Sequence, residues 1–458
     1  VSAELAGRRF HFVGIGGAGM SGLALAAAEL GAEVSGSDRS ESTYLERLRA
    51  AGITVTIGQQ AENVPADAEV VRSTAIEQDN PELAAAFERG HTVRHRSELL
   101  AELAALRKTC ITVAGSHGKT TTTAMIAHVL DELGQDPSYF VGGELTIGQR
   151  TTNAHMGGGE VVVIEADESD GSFIRYSPDV AVVTNIEFEH PETWSGLDQL
   201  IAAFAEHLAP ARSVVIEAEQ PRQAELALGS RAISFSITDN SADYFAAGLA
   251  TADEPSEGTG FTLKELPVKL GVRGDHNVKN ALAAIAALEL VGVTRDQSVT
   301  ALASFRGVAR RFEHVGRSEG GAEVYDDYAH HPTEIRAALE TARAAARAGR
   351  VVAFFQPHLY SRSLAYRREF AEALALADVV VVLEIYPARE RAEDFPGVTG
   401  WMTATSVADH AEGRPVYFAA NFDEAERLAR RILQSGDLCI ALGAGDIIEF
   451  SRRIALSR

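Results

Sequence analysis

Gly115-Ser116-His117-Gly118-Lys119-Thr120 follows an apolar, β-type run, Thr109 to Ala114, and opens a Thr-rich helical stretch, Thr121 to Leu133. Strand, glycine turn and helix in that order make a phosphate-binding loop. Backbone N–H groups of the turn and helix start face phosphate oxygens, the lysine ammonium reaches the terminal phosphates, and the threonine hydroxyl serves Mg²⁺. The reading makes a nucleoside triphosphate a substrate. The usual spacing would put a glycine at 113, where Val113 stands; here Gly115 shortens the loop and His117 lies inside it. A strand-to-helix turn with an exposed lysine is the alternative, and the Gly-Lys-Thr context argues against it.

Outward from this loop, strand, glycine turn and helix recur along the chain, which predicts largely parallel sheets covered by helices, an α/β fold. The alternation restarts three times. The first block opens with Phe10–Val13, a glycine turn and a helix to Leu30, continues with Val34–Ser37, Thr54–Ile57 and Val70–Ser73, and closes with a helix at Ser97–Leu106. The second contains the phosphate loop, Val161–Glu165, Val180–Asn185 and a helix at Val278–Val291, with Gly292 as its C-cap. Between them, Ser230 to Val272, including the acidic stretch Asp253-Glu254-Pro255-Ser256-Glu257, reads as short antiparallel strands and loops. The third block has strands Val351–Phe355, Val379–Leu383, Val416–Phe418 and Leu438–Leu442, with helices at Glu334–Ala348, Tyr366–Leu376 and Phe422–Leu433. Boundaries near 107 and 310 give domains 1–107, 108–310 and 311–458: Rossmann-like first and third domains around a P-loop-type central one.

The chain has 458 residues, room for about three domains of ~150 residues. No apolar run approaches the ~20 residues of a membrane helix, and the N-terminus lacks signal-peptide order, so a cytoplasmic protein without a membrane partner is expected. Cys110 and Cys439 both lie in apolar runs and read as buried thiols. A net charge of −22 argues against nucleic-acid binding, which relies on Lys and Arg neutralising phosphates. Anionic ligands must therefore meet local positive sites.

Gly14-Ile15-Gly16-Gly17-Ala18-Gly19 is a G-x-G-x-x-G between a strand and a helix, and Asp38 ends the next strand. This spacing suits a pyrophosphate on a helix N-terminus with an acid on ribose hydroxyls. It fits a nucleoside-diphosphate sugar, a dinucleotide or an unoccupied turn, and favours the first. Glu165 ends an apolar strand beside the phosphate loop, with Asp167, Glu168 and Asp170 after it. Such an acid holds Mg²⁺ or belongs to a solvated turn. His190 follows the next strand at the same rim. Asp275 or Asn277 caps a helix, or Asn277 and Asn280 read an adenine edge. Arg310-Arg311 is either a surface pair or an arginine offered to a γ-phosphate. Tyr325-Asp326-Asp327-Tyr328-Ala329-His330-His331-Pro332 is the densest polar cluster of the third block. His358 and Arg362 follow strand Val351–Phe355 at its binding edge. No Ser-His-Asp order, C-x-x-C or H-E-x-x-H is present, which disfavours covalent-nucleophile and zinc chemistry.

Together these residues resemble the Mur ligase family. The matching motifs are Phe12 to Gly22, Gly115 to Thr123, Glu165 to Asp170, Thr184-Asn185-Ile186, His276 to Asn280, Arg311-Phe312-Glu313 and Asp326 to Pro332, in the family's order along the whole chain. His117 and the pair His330-His331 look most like the branch that adds alanine and its relative that reattaches recycled peptides. The resemblance implies an ATP-dependent ligase using ATP and Mg²⁺, with UDP-N-acetylmuramate and L-alanine as substrates, acting as a monomer or weak homodimer. It implies that Gly16, Gly17, Ala18, Gly19, Met20, Ser21, Asp38, Ser73 and Thr74 bind the UDP-sugar. Gly115, Ser116, His117, Gly118, Lys119, Thr120 and Thr121 would hold ATP phosphates, and Asn277 and Asn280 adenine. Thr120, Glu165 and His190 would bind metal. Arg311 and Asp327 would complete the ATP site. His330 and His331 would lie near the reacting carboxylate or the alanine, and His358 and Arg362 would contact substrate. No lysine stands between Lys119 and Lys264, so a carbamylated lysine near the metals is absent. Arg72, where a small or apolar residue is usual, and Gln59-Gln60, where a histidine is expected, depart from the pattern. A nicotinamide-dependent dehydrogenase is what the first loop alone would suggest.

Overall fold

A computed structural model describes residues 4–148, 150–191, 193–220, 222, 226, 231–251 and 258–456. The stretch Asp253–Glu257, expected as part of a loop, lies outside the described residues. Three sheets, largely parallel and flanked by helices, carry the strands. The first contains β1 (Arg9–Val13), β2 (Glu33–Asp38), β3 (Thr54–Ile57), β4 (Glu69–Arg72) and β5 (Val93–His95), all parallel, in the order β3-β2-β1-β4-β5. Strand order reverses between β1 and β4, which opens a crevice at the C-terminal end of β1, where the first glycine loop emerges.

The second sheet contains β6 (Thr109–Ala114), β7 (Ser138–Ile147), β8 (Arg150–His155), β9 (Val161–Glu165), β10 (Val180–Val183), β11 (Ser213–Glu217), β12 (Arg231–Ser236), β13 (Tyr244–Thr251), β14 (Thr259–Leu263) and β15 (Leu266–Lys269). Their order is β15-β14-β13-β12-β11-β10-β6-β9-β7-β8. β6, β9 and β10 are covered on both faces, so their sequences are unbroken apolar runs rather than alternations. The expectation for 230–272 is corrected in part. β12 pairs in parallel with β11 and β13, extending the sheet, and β14 and β15 form an antiparallel hairpin. The antiparallel hairpin β7–β8 was not foreseen.

The third sheet contains β16 (Glu313–Ser318), β17 (Glu323–Asp327), β18 (Val351–Phe355), β19 (Val379–Leu383), β20 (Val416–Ala419), β21 (Leu438–Leu442) and β22 (Ala455–Leu456), in the order β20-β19-β18-β21-β17-β16-β22. β16 pairs antiparallel with both β17 and β22, and the other pairs are parallel. Val351, Ala353 and Phe355 enter one apolar cluster while Val352 and Phe354 enter another, as alternation across a strand buried on both faces requires.

The chain divides into two compact units: one takes Val1–Ala250, Gly260–Gly271 and Asn277–Arg306, the other Thr251–Thr259, Val272–His276 and Gly307–Arg458. Within the first, one apolar core runs from Phe10, Ile15 and Leu23 to Val162 and Phe204, joining the first two sheets. Helix Ala18–Glu29 lies on the β7–β8 hairpin. Gly22 makes this possible: a Cβ there would stand 2.9 Å from the Ala154 methyl. Asn153 Nδ2 donates to Ala18 O, tying the hairpin to the glycine loop. Cys110 and Cys439 are buried free thiols.

His207 is fully buried beneath β6, with Nδ1 on Phe173 O at 3.0 Å and Nε2 on Thr112 Oγ1 at 3.0 Å. The carbonyl accepts, so Nδ1 carries the proton and Nε2 accepts from the hydroxyl. Burial pushes the imidazole down to about 4. Its contribution to stability is therefore complete above pH ~6.5 and is lost progressively as pH falls towards 4, because the unfolded imidazole takes a proton that the folded one refuses. Urea unfolding at pH 5 should show about 2 kcal/mol less stability from this residue than at pH 7.5. A His207→Gln variant should lack that part of the pH dependence.

Candidate active site

The phosphate loop leaves β6 at its C-terminal end and is clamped to the chain that follows β10. Ser116 N donates to Asn185 O at 2.9 Å, and His117 N to Asn185 Oδ1 at 2.8 Å. Thr184 Oγ1 and Asn185 Nδ2 both donate to His117 O, at 2.6 and 3.0 Å. Gly115 has φ +132° with Thr184 and Asn185 pressed against its Cα; Gly118 has φ +84° and abuts the Asn280 amide oxygen. Both positions therefore need glycine. Gly118 is the N-cap of helix Lys119–Glu132 and supplies no side-chain cap. An anion can take that place, since the first N–H groups of a helix have no intrahelical acceptor.

Lys119 Nζ donates to Gly115 O (2.6 Å) and Ser116 O (3.2 Å) and pairs with Glu168 at 2.9 Å. Burial lowers the pKa of this ammonium, but the Glu168 and Asp167 carboxylates outweigh it, so the group stays charged with a pKa above the ordinary lysine value. Thr120 Oγ1 donates to Glu165 Oε1 at 2.8 Å, and Gly142 N donates to the other carboxylate oxygen. Glu168, Glu189 and His190 each bring one ligand atom within 4.8 Å of the others. Two carboxylates and an imidazole form a donor set that fits Mg²⁺; Glu165, which accepts from Thr120, is not one of these three. His190 adopts φ +56°, a left-handed conformation that turns the chain at this point. Asn277 and Asn280 lie one turn apart on helix Asp275–Leu290. Asn280 Nδ2 donates to Asn277 Oδ1 at 3.2 Å, and Asn280 Oδ1 accepts from Thr122 Oγ1 at 3.2 Å, so this pair braces the phosphate-loop helix.

The first glycine loop lines a cavity of about 350 Å³ with Gly17, Ala18, Gly19, Met20, Ser73 and Thr74, and the same cavity reaches Glu165 and Asp167. Three expected residues lie outside its lining. Gly16 N donates to Asp38 Oδ2 at 2.8 Å, so the Asp38 carboxylate holds the loop from below. Ser21 is buried and donates to Ala18 O at 3.0 Å. Arg96, not singled out in the sequence, lies against Gly19 and pairs with Asp170 at 3.0 Å. Glu168 and Glu189 were likewise unassigned. They stand among neighbouring acids, and only the turns after β9 and β10 select them.

In the second unit, Arg310 Nε donates to the buried Asp326 at 3.1 Å, and Arg311 faces Glu334 at 3.5 Å. Asp327 accepts from Phe312 N and Ala329 N, both at 2.8 Å; burial raises its pKa to about 6 against the pull of Arg311. The histidine pair separates. His331 caps helix Pro332–Ala346 through Thr333 N, in a capping box with Glu334. His330 meets His358 edge to face at 5.9 Å, and His358 stacks on Tyr386 at 5.8 Å. Burial and the Arg362 charge push His358 down to about 4. Arg362 Nη1 is buried and has no hydrogen-bond partner among the described residues. A guanidinium with an open donor beside two neutral imidazoles is built to receive a carboxylate.

The chain matches the Mur ligase family, catalytic domain, over residues 9–108, the Mur ligase middle domain over 113–288 and the Mur ligase, glutamate ligase domain over 310–445. The chain belongs to the Mur ligase family. Among curated Mur ligases, the UDP-N-acetylmuramate-L-alanine ligase of Saccharopolyspora erythraea is 44% identical over 96% of this chain and 91% of its own length. That of Streptomyces coelicolor is 43% identical over 97% and 96%. The crystal structure of the UDP-N-acetylmuramate-alanine ligase of Thermotoga maritima superposes with a TM-score of 0.82 at 33% identity, covering 97% of this chain and 98% of that one. A murein peptide ligase of Psychrobacter arcticus gives 0.70 at 25% identity, covering 98% of each. Membership of the Mur ligases makes the chain an ATP-dependent ligase and sets aside the dehydrogenase reading of the first loop. Among the described residues, no helix is long and apolar enough to cross a membrane.

Proposed function

We infer that this Mur ligase joins L-alanine to the lactyl carboxylate of UDP-N-acetylmuramate, with ATP converted to ADP and phosphate, in cytoplasmic peptidoglycan precursor synthesis. The observation that carries the reading is the cavity shared by the diphosphate-type glycine loop and Glu165, whose carboxylate holds Thr120 of the phosphate loop. A nucleotide sugar held at the first loop thereby extends its far end towards transferable phosphate. The curated relatives with 43–44% identity carry the same activity in their names.

The carboxylate oxygen attacks the γ-phosphorus, the bond to the β-γ bridging oxygen breaks, and ADP leaves. The alanine amine then attacks the acyl phosphate carbon and phosphate leaves, with the amine proton lost to water or base. We assign 1–107 to the UDP-sugar, 108–310 to ATP and 311–458 to the amino acid. Gly17, Ala18, Gly19 and Met20 offer backbone N–H groups to the diphosphate. Ser73 and Thr74 line the sugar's path. Ser116, His117, Gly118, Lys119, Thr120 and Thr121 hold the ATP phosphates. Lys119 and Arg311 neutralise charge gathering on the γ-phosphoryl oxygens. Thr120, Glu165 and His190, joined by Glu168 and Glu189, would hold Mg²⁺, which supplies electrostatic stabilisation of the phosphoryl oxygens. Asn277 and Asn280 position the loop helix beside the nucleotide. His330, His358 and Arg362 receive the amino acid. The enzyme acts as a monomer or weak homodimer.

The test is phosphate release with UDP-N-acetylmuramate, ATP and Mg²⁺ while the acceptor is varied. L-alanine should support turnover and a tripeptide should not; preference for the peptide would transfer the chain to the peptide-adding branch. Chelating the metal with EDTA should stop phosphate release, and excess Mg²⁺ should restore it. Turnover persisting in EDTA would remove the metal assignment.

A further inference from the structure

A second cavity, of about 430 Å³, opens where β4 and β5 end. Arg72 and His95 are register partners there, on the last residues of two parallel strands. This is the ligand-binding edge of an open α/β sheet, one strand removed from the crevice of the first glycine loop. The two cavities share Thr74 and Asp170, which form the wall between them. That wall is tied together: Asp170 accepts from Thr74 Oγ1 at 3.3 Å, from Arg96 Nη2 at 3.0 Å and from Ser172 N at 2.9 Å.

Arg72 and Arg175 face Glu98 and Asp170 in the lining of the second cavity, but each carboxylate has a cation other than Arg72. Arg175 pairs with Glu98 at 2.9 Å, and Asp170 is satisfied by Arg96. Among the described residues, the Arg72 guanidinium, half-buried, has neither a hydrogen bond nor an ion pair. In a chain of net charge −22 an unpaired arginine inside a cavity is a conspicuous excess. His95 is nine-tenths buried at the same place. Its Nδ1 caps the following helix through Ser97, and its Nε2 has no hydrogen-bond partner among the described residues and stands 4.0 Å from Asp170. Val93, Ile174 and the ring of Phe87, which is 62% exposed, supply the apolar part of the lining, and Gly171 and Ser172 complete it. A volume of this size suits a small molecule, and an exposed aromatic ring beside a free guanidinium suits one that is flat at one end and anionic at the other.

We propose that this cavity is a second ligand site, separate from the glycine-loop cavity, for a monoanion with a flat apolar body. Arg72 takes the anionic group and Phe87, Val93 and Ile174 take the body. Arg72 is the residue at which this sequence departs from the small or apolar type expected there, and the cavity gives that departure a purpose.

Isothermal titration of the full chain with benzoate, without turnover, tests this independently of the ligase reading. Benzoate should bind at one site, and binding should persist in saturating UDP-N-acetylmuramate. Arg72→Met should weaken it about tenfold, the scale of one charge-assisted pair. Phe87→Ser, at an exposed position that leaves the core intact, should also weaken it. Inorganic phosphate and benzyl alcohol, each with half of the required chemistry, should bind more weakly than benzoate. Absence of benzoate binding, an unchanged affinity in Arg72→Met, equal binding of phosphate or displacement by UDP-N-acetylmuramate would each overturn the proposal.

Discussion

Replacing Lys119 by alanine is expected to lower phosphate release by about 10³-fold or more while changing the affinity for UDP-N-acetylmuramate by less than about threefold. The ammonium is held over the loop by the Gly115 and Ser116 carbonyls, where its charge can follow the γ-phosphoryl group through the transition state. It does not line the cavity of the first glycine loop. The variant also strands the fully buried Glu168 carboxylate, at a stability loss of about 3–5 kcal/mol. Lys119→Ala with Glu168→Gln removes the stranded charge. It should regain most of the stability, which traces that loss to the stranded carboxylate; because Glu168 also stands among the metal-holding residues, turnover is compared in the single variant at a temperature where it remains folded. Stopped-flow or coupled phosphate assays and direct titration with the nucleotide sugar read the two effects. Equal loss of turnover and sugar binding would contradict the assignment of Lys119 to ATP alone.

Gly115→Ala should be nearly as damaging, for a steric reason. At φ +132° an added methyl would lie 2.8 Å from Asn185 O and 3.0 Å from Asn185 N, and closer still to the Thr184 hydroxyl. These are the groups that clamp Ser116 and His117. The loop cannot keep both its clamp and the methyl, so it must leave the end of β10. Expected effects are a destabilisation of about 2–4 kcal/mol and a fall in turnover of about 10²-fold or more. Thermal unfolding and the KM for ATP are the measurements. Gly158→Ala is the control: the nearest atom to its added methyl is a carboxylate oxygen of Asp136 at 3.5 Å, an ordinary contact. An unaltered KM for ATP in Gly115→Ala would show that the clamp does not shape the nucleotide site.

What was legible in the sequence was local. Both glycine loops, the strands that enter them and the helices that leave them are encoded within about twenty consecutive residues, and the structure has them in place. The acidic run after β9 was recognisable as a group, but its members could not be sorted. Glu165 turns to Thr120, Glu168 turns to Lys119 and Asp170 turns away to Arg96, because the chain reverses direction within these residues. His330 and His331 are chemically identical neighbours. One backbone step puts the first beside His358 and makes the second a helix cap. The β7–β8 hairpin was missed because only its inner part is buried, so its apolar signal is brief. The pairing direction of β12 and β13 is not written in side-chain alternation, which is the same in parallel and antiparallel strands.

The sequence by itself determined the α/β alternation, the two phosphate-type loops and, through the order of its motifs, the family. Glycine conformational freedom, apolar runs and helix starts act between near neighbours in the chain and can be read there. The tertiary structure decided which acids face Lys119 and Thr120, that Arg96 lies on Gly19, that Asp38 supports its loop, and that Arg72 stands unpaired in a cavity of its own. Those facts depend on packing between segments far apart in sequence, where geometry is set by the joint core of two sheets and no local pattern carries it.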